Sequence, residues 1–321
     1  MKGMTYSEAL REGFRVVNRN WQLVLIRVAV AVLGCLGFLF IVAIPLVIAL
    51  LLLGVGQVFL SQIESSPDIL LTRYFGVAVV AGLLLLLYIL FAASVGLYAF
   101  AASAGVIART VKDESSTFSM RVFFEEGRRL FMPVLGLATI VGLMATGAVL
   151  CYAVLGVLVS YVVTYAKSQS LSLSMFLGVF FSLVGVVSGV LILFGLLALT
   201  VYGMAAVSLK GAKPVEAVTE TARYLWRTPS AVYLYAMTAS LYVLLSLVLA
   251  LAGLPLRTVP LAGLILGLPY QLLMHAVQGY AGLFVLAVSF VYYHRTALSQ
   301  DAADSASGRG SDAPGVEDTA G

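Results

Sequence analysis

Lys213–Ser230 reads KPVEAVTETARYLWRTPS and separates two long apolar runs. Val215, Val218, Ala222 and Leu225 recur at i, i+3, i+7 and i+10, which puts them on one helix face. Pro214 fits a first helical turn, where its missing N–H costs nothing, and Pro229 marks the stop. Two other stretches share this build. They are Ser7–Trp21, SEALREGFRVVNRNW, and Ser119–Pro133, SMRVFFEEGRRLFMP. Each of the three contains Glu-x-x-Arg, as Glu12/Arg15, Glu126/Arg129 and Glu220/Arg223, and each leads into an apolar run. The pattern predicts three units, each an amphipathic lead-in helix followed by two membrane helices. The bland alternative is a common solvated i,i+3 pair that recurs by chance.

Composition supports the membrane reading. Of 321 residues, 61% are apolar and 11% charged, against about 25% charged in soluble proteins. The mean hydropathy is +1.05. The apolar runs predict an all-α polytopic bundle over residues 1–298, with spans at roughly 21–53, 74–107, 130–165, 171–207, 231–254 and 261–293. The tail, 299–321, is rich in Ala, Ser, Gly and Asp without apolar periodicity, and is expected to be disordered. No signal peptide is expected, because the first apolar run is far longer than an h-region of about 7–15 residues. Cys35 and Cys151 lie inside apolar runs and read as small buried hydrophobes.

Along the chain, Thr5 and Glu8 form a capping-box pattern, and Leu10, Phe14, Val17 and Trp21 share a face. That helix is expected in the membrane interface, with Trp21 at headgroup level. Arg27, the one formal charge inside an apolar run, is expected to snorkel back to the interface. Pro45 is expected to kink the first span and Pro269 to interrupt the sixth. Small residues form stripes at Ala92, Gly96, Ala99 and Ser103, and at Gly178, Ser182, Gly185 and Gly189, where neighbouring helices are expected to approach closely.

The lead-in regions hold thirteen of the nineteen Lys and Arg residues, whereas the opposite loops hold Arg73, Lys167 and Arg257 alone. With six spans, all lead-ins and both termini fall on one side. The positive-inside bias makes that side cytoplasmic.

Little in the sequence carries chemistry. All fifteen carboxylates lie outside the apolar runs, which argues against an ion-coupled carrier. No nucleotide-binding or zinc-protease motif is present, and no Cys/His metal cluster. Catalytic, cofactor and metal sites are therefore not expected. Scattered basic residues argue against nucleic acid. Glu125-Glu126 with Arg129 misses the spacing of the intramembrane prenyl-protein protease signature by one residue. The polar constellation within a span is Gln271, His275 and Gln278, at i, i+4 and i+7. Pointing three such groups at lipid is costly, so this face is expected to turn into the bundle, as interhelical hydrogen bonding or as a ligand cavity. His294 is expected to anchor at the interface among aromatic residues.

The Ser7–Trp21 lead-in, the Glu-x-x-Arg segments, the six spans and the closing VYYHR at Val291–Arg295 together resemble a group of bacterial six-span proteins. It includes the membrane domain fused to some glycerophosphodiester phosphodiesterases, and free-standing relatives of unassigned role. The similarity is one of layout, over roughly residues 5–296. That domain often closes on Tyr-Tyr-x-x-Arg, whereas here the arginine follows the second tyrosine by two. The catalytic barrel of those phosphodiesterases has no counterpart in this sequence, so no catalytic residue carries over. The resemblance implies a bacterial inner-membrane protein with an accessory role.

Two functions compete. One is a non-enzymatic protein that organises or binds partners at the cytoplasmic face. Arg15, Arg129, Arg223, Trp21 and Trp226 would meet anionic headgroups, a membrane-protein partner or a second copy of the chain. The other is a permease or channel for a lipid-like or small uncharged solute, lined by Gln271, His275 and Gln278.

Overall fold

Helix α1, Tyr6–Arg19, starts at the expected cap: the Thr5 N–H donates to Glu8 Oε2 at 2.9 Å. It ends at Asn20, whose side-chain amide donates to Val16 O at 2.9 Å and to Thr110 Oγ1 at 3.1 Å. An amide competing for the backbone carbonyl in this way interrupts a helix, and the chain restarts as α2, Gln22–Phe38. A π-helical turn, Leu39–Ala43, and α3, Ile44–Leu52, complete the first span. The wide turn directly precedes Pro45, which lacks an N–H and whose ring crowds the carbonyl four residues back.

The remaining helices are α4, Phe75–Lys112; α5, Met120–Gln169; α6, Leu171–Ala205, with a π-helical turn Ala206–Lys210; α7, Pro214–Arg227; α8, Pro229–Ala252; and α9, Pro260–Arg309. The computed structural model describes residues 4–52, 75–255 and 260–309. Among these the protein is an all-α helix bundle with six helices long and apolar enough to cross a membrane.

The second lead-in is not a separate helix. It forms the first turns of α5, which runs unbroken through Pro133. The reason is local: the position matching Asn20 is the buried Val134, which cannot compete for backbone hydrogen bonds. Helix α9 likewise runs through Pro269 without a break and continues to Arg309, into the stretch expected to be disordered. The loop carrying Arg73, the turn carrying Arg257 and the tail after Arg309 lie outside the described residues.

The three lead-ins are built alike. Counted from the glutamate of each Glu-x-x-Arg, the positions at −3, +1 and +4 are buried in all three: Ala9, Gly13 and Val16; Phe123, Gly127 and Leu130; Ala217, Thr221 and Tyr224. Each lead-in packs on the second span of the preceding unit: α5 on α4, α7 on α6, and α1 on α9. The units thus close into a ring at the lead-in end. Fully buried serines occur in two of the receiving spans, at Ser103 and Ser289. The segment Tyr292–Arg295 ties the ring shut. Tyr292 donates to Ser230 Oγ at 2.9 Å, Tyr293 to Glu220 Oε1 at 3.1 Å, and Arg295 meets Glu12 at 3.4 Å.

The buried core sits at this end. No residue is buried between Leu137 and Ala166 on α5, or between Ser174 and Ala198 on α6. Those halves present Leu, Val and Phe outward, a surface that suits lipid rather than water. The expected close packing along Gly178, Gly185 and Gly189 is absent: a Cβ added at any of them meets nothing within 4 Å. Cys35 and Cys151 are exposed on their spans, not buried.

Candidate functional site

Arg27 lies six residues beyond Trp21, roughly 9 Å further along the helix at about 1.5 Å per residue. From there the side chain leans back towards the lead-in end, as a snorkelling arginine does: its Cβ and Cδ lie beside Gly279, and its Nη1 beside Gly282, almost one turn nearer that end of α9. Its side chain crosses the bundle towards α9, where two glycines leave room for it. A Cβ at Gly279 would sit 3.5 Å from Arg27 Cδ, and one at Gly282 would sit 3.5 Å from Arg27 Nη1. The guanidinium stands 5.7 Å from the centre of the Phe100 ring, within cation–π range.

This arginine lines a cavity of about 330 Å³ between the first, second, fifth and sixth spans. Val30, Ala31, Gly96, Ala99 and Phe100 supply its apolar wall, and Tyr242, His275 and Gln278 its polar one. None of its lining residues is a carboxylate, and Arg27 has no ion-pair partner among the described residues. A cation held away from bulk water without a counter-ion is costly. An acidic group placed in the cavity would offset that cost.

Of the predicted polar face, Gln278 is half-buried at the cavity, whereas His275 borders the cavity but is exposed. Among the described residues neither side chain makes an interhelical hydrogen bond. His275 Nδ1 instead lies 2.8 Å from Gln271 O on its own helix. Gln271 is exposed and outside the cavity. Sequence reasoning missed Arg27 as a member of the site. The available signal was on α9 itself: His275, Gln278, Gly279 and Gly282 follow helical spacing, mixing polar groups with glycines that leave space for a long side chain. Tyr242 also borders a second, apolar cavity of about 230 Å³ with Phe14, Leu245 and Phe284.

The residues expected at the membrane interface lie apart from this cavity. Arg15 and Arg223 are exposed and do not pair with Glu12 and Glu220. Glu12 meets Arg295, and Glu220 meets Lys210 at 2.5 Å. Arg129 alone forms its predicted pair, with Nη2 2.6 Å from Glu126 Oε2. Trp21 is 51% exposed and Trp226 90%. On α7 the predicted stripe is split: Val215 and Ala222 are exposed, Val218 and Leu225 pack against the core, and Ala217, Thr221 and Tyr224 are buried in the bundle. Burial pushes the Tyr224 hydroxyl well above its ordinary pKa, so it stays protonated in its 2.6 Å hydrogen bond with Thr296.

No group of three His, Cys, Asp or Glu side chains that could hold a metal occurs among the described residues. The chain matches no family model, no curated protein and no solved structure.

Proposed function

We propose that the chain is a non-enzymatic membrane protein that binds an amphiphile with an acidic head group inside the bundle. Arg27 is the counter-ion in this reading, with His275 and Gln278 as hydrogen-bonding partners and the small and apolar wall as the bed for the tail. The observation that carries it is an arginine within a span, lining a cavity without a carboxylate. An ionisable group at such a place is a functional site by default. The excess of Lys and Arg on the lead-ins makes their side cytoplasmic. The ligand site then lies in the half of a bacterial inner membrane nearest the cytoplasm. The likeness of layout to the six-span domain fused to phosphodiesterases implies the same location and an accessory role.

Purified protein titrated with oleate and with monoolein tests this. The wild type is expected to prefer the acid, and Arg27→Gln to weaken oleate about tenfold or more, the loss of about 1.4 kcal/mol, with monoolein unchanged. Equal binding of both probes by wild type and variant would remove the basis for the proposal.

A second reading concerns the lead-ins. Exposed Trp21, Trp226, Phe14 and Val215 beside exposed Arg15 and Arg223 suit amphipathic helices lying among anionic headgroups, each cation near the surface contributing about 1 kcal/mol. Arg15→Glu combined with Arg223→Glu is expected to deplete phosphatidylglycerol from the lipid that copurifies with the protein. An unchanged lipid profile by mass spectrometry would sink this reading.

A further inference from the structure

Tyr242 on α8 borders two cavities. One is the Arg27 cavity. The other, of about 230 Å³, lies between α1, α8 and α9. Arg27 stands where the two meet: a Cβ built at Gly282 would lie 3.5 Å from Arg27 Nη1 and 3.9 Å from Tyr242 Cε2. The cavities take different faces of α9. His275, Gln278 and Gly279 border the first, and Ala281 and Phe284 the second.

The second cavity offers a polar head little. Phe14, Leu241, Leu245, Phe284 and Val285 supply most of its wall. The buried hydroxyl of Thr238, which also lines it, already donates within its own helix, to Leu234 O and Tyr235 O at 3.0 Å each. The Phe14 and Tyr280 rings meet edge to face, with 6.3 Å between their centres. Phe14 and Leu241 are both exposed, so the cavity is a groove that opens on the outer surface between the fifth and sixth spans. An acyl chain suits such a lining, and a charged or hydrogen-bonding group does not.

We infer that the ligand is an acidic lipid with two acyl chains, one in each cavity, an assignment that rests on Arg27 holding the acidic head. The first cavity has an apolar wall of its own in Val30, Ala31 and Phe100, which gives one chain a bed beside the head. The groove takes the other. An apolar groove in a membrane selects nothing by itself, because lipid tails are as apolar as its walls. A chain joined to a head held at Arg27 is a different competitor. Linkage makes its docking an intramolecular step and raises its effective concentration over that of free tails. A one-chain acid fills one cavity, leaves the other to unlinked tails and forgoes that gain. A neutral two-chain lipid supplies no counter-charge for the guanidinium.

The test offers the full chain in detergent two probes with the same head, dioleoyl phosphatidic acid and 1-oleoyl lysophosphatidic acid. Native mass spectrometry counts what each variant retains. The wild type is expected to prefer the two-chain probe about tenfold. Leu241→Trp and Ala281→Phe, which crowd the groove from α8 and from α9, are each expected to abolish that preference and to leave the one-chain probe bound as in the wild type. Leu241 is exposed, so its replacement does not compromise folding. Val179→Trp, on the exposed half of α6, should keep the preference. Arg27→Gln is expected to weaken both probes. If Arg27→Gln weakens both while the groove variants keep the wild-type preference, the acid site stands and the two-chain assignment falls. Equal retention of both probes by the wild type also overturns it. If Arg27→Gln weakens neither probe, the acid site itself falls, and the assignment with it.

Discussion

Gly13→Ala is expected to loosen α1 from the bundle and to destabilise the protein by about 1–3 kcal/mol, the usual cost of forcing an extra methyl into a packed contact. The added Cβ would stand 2.5 Å from Val288 Cγ2 and 3.0 Å from both Val288 Cα and Val288 N. A side chain could rotate away, but a helix backbone cannot. Relief therefore requires α1 to lift off α9, and that contact closes the ring of three units. Gly185→Ala is the opposite case. Nothing lies within 4 Å of a Cβ there, so the methyl meets no protein atom and gains about 0.5–1 kcal/mol of helix propensity. The two substitutions are chemically identical and should shift the unfolding midpoint in detergent in opposite directions. A Gly13→Ala midpoint equal to that of the wild type would mean that α1 does not dock as described.

The contrast between these glycines marks what the sequence can and cannot convey. Span number follows from the lengths of the apolar runs, because a membrane demands about 20 apolar residues per crossing. Glycine stripes, however, look alike in sequence whether a neighbour fills them or not. Gly185 sits in a conspicuous G-x-x-x-G and packs on nothing, whereas Gly13 sits in no stripe and makes the tightest contact. The lead-in faces are legible only in part. Periodicity on α7 singles out Val215, Val218, Ala222 and Leu225; Val218 and Leu225 pack at the edge of the core, Val215 and Ala222 are exposed, and the fully buried face is Ala217, Thr221 and Tyr224. Arg27 was visible as a lone charge. Its role depends on two glycines about 250 residues away in sequence, and no local pattern conveys that.

Arg129→Ala is expected to destabilise the protein by about 2 kcal/mol, whereas Arg15→Ala and Arg223→Ala change little. The three Glu-x-x-Arg motifs are equivalent in sequence, but their glutamates are not equivalent in the fold. Glu126 is 7% exposed and wedged against Gly105, whose added Cβ would lie 2.6 Å from Glu126 Cβ. Its Oε2 touches Arg129 at 2.6 Å in a geometry that lacks a hydrogen bond's alignment, so the contact is mainly ionic. Removing the arginine strands a carboxylate in a packed interface. Breaking a fully buried pair costs about 3–5 kcal/mol, and the lower figure here reflects the Arg129 side chain, which is 60% exposed and already partly screened by water. Glu12 and Glu220 instead meet Arg295 and Lys210, so losing Arg15 or Arg223 leaves both carboxylates paired. If the interpretation is right, Glu126→Gln introduced beside Arg129→Ala should recover most of the lost stability, because the stranded charge is gone. A double variant no more stable than Arg129→Ala alone would show instead that the arginine acts by packing its aliphatic stem, and not by its charge.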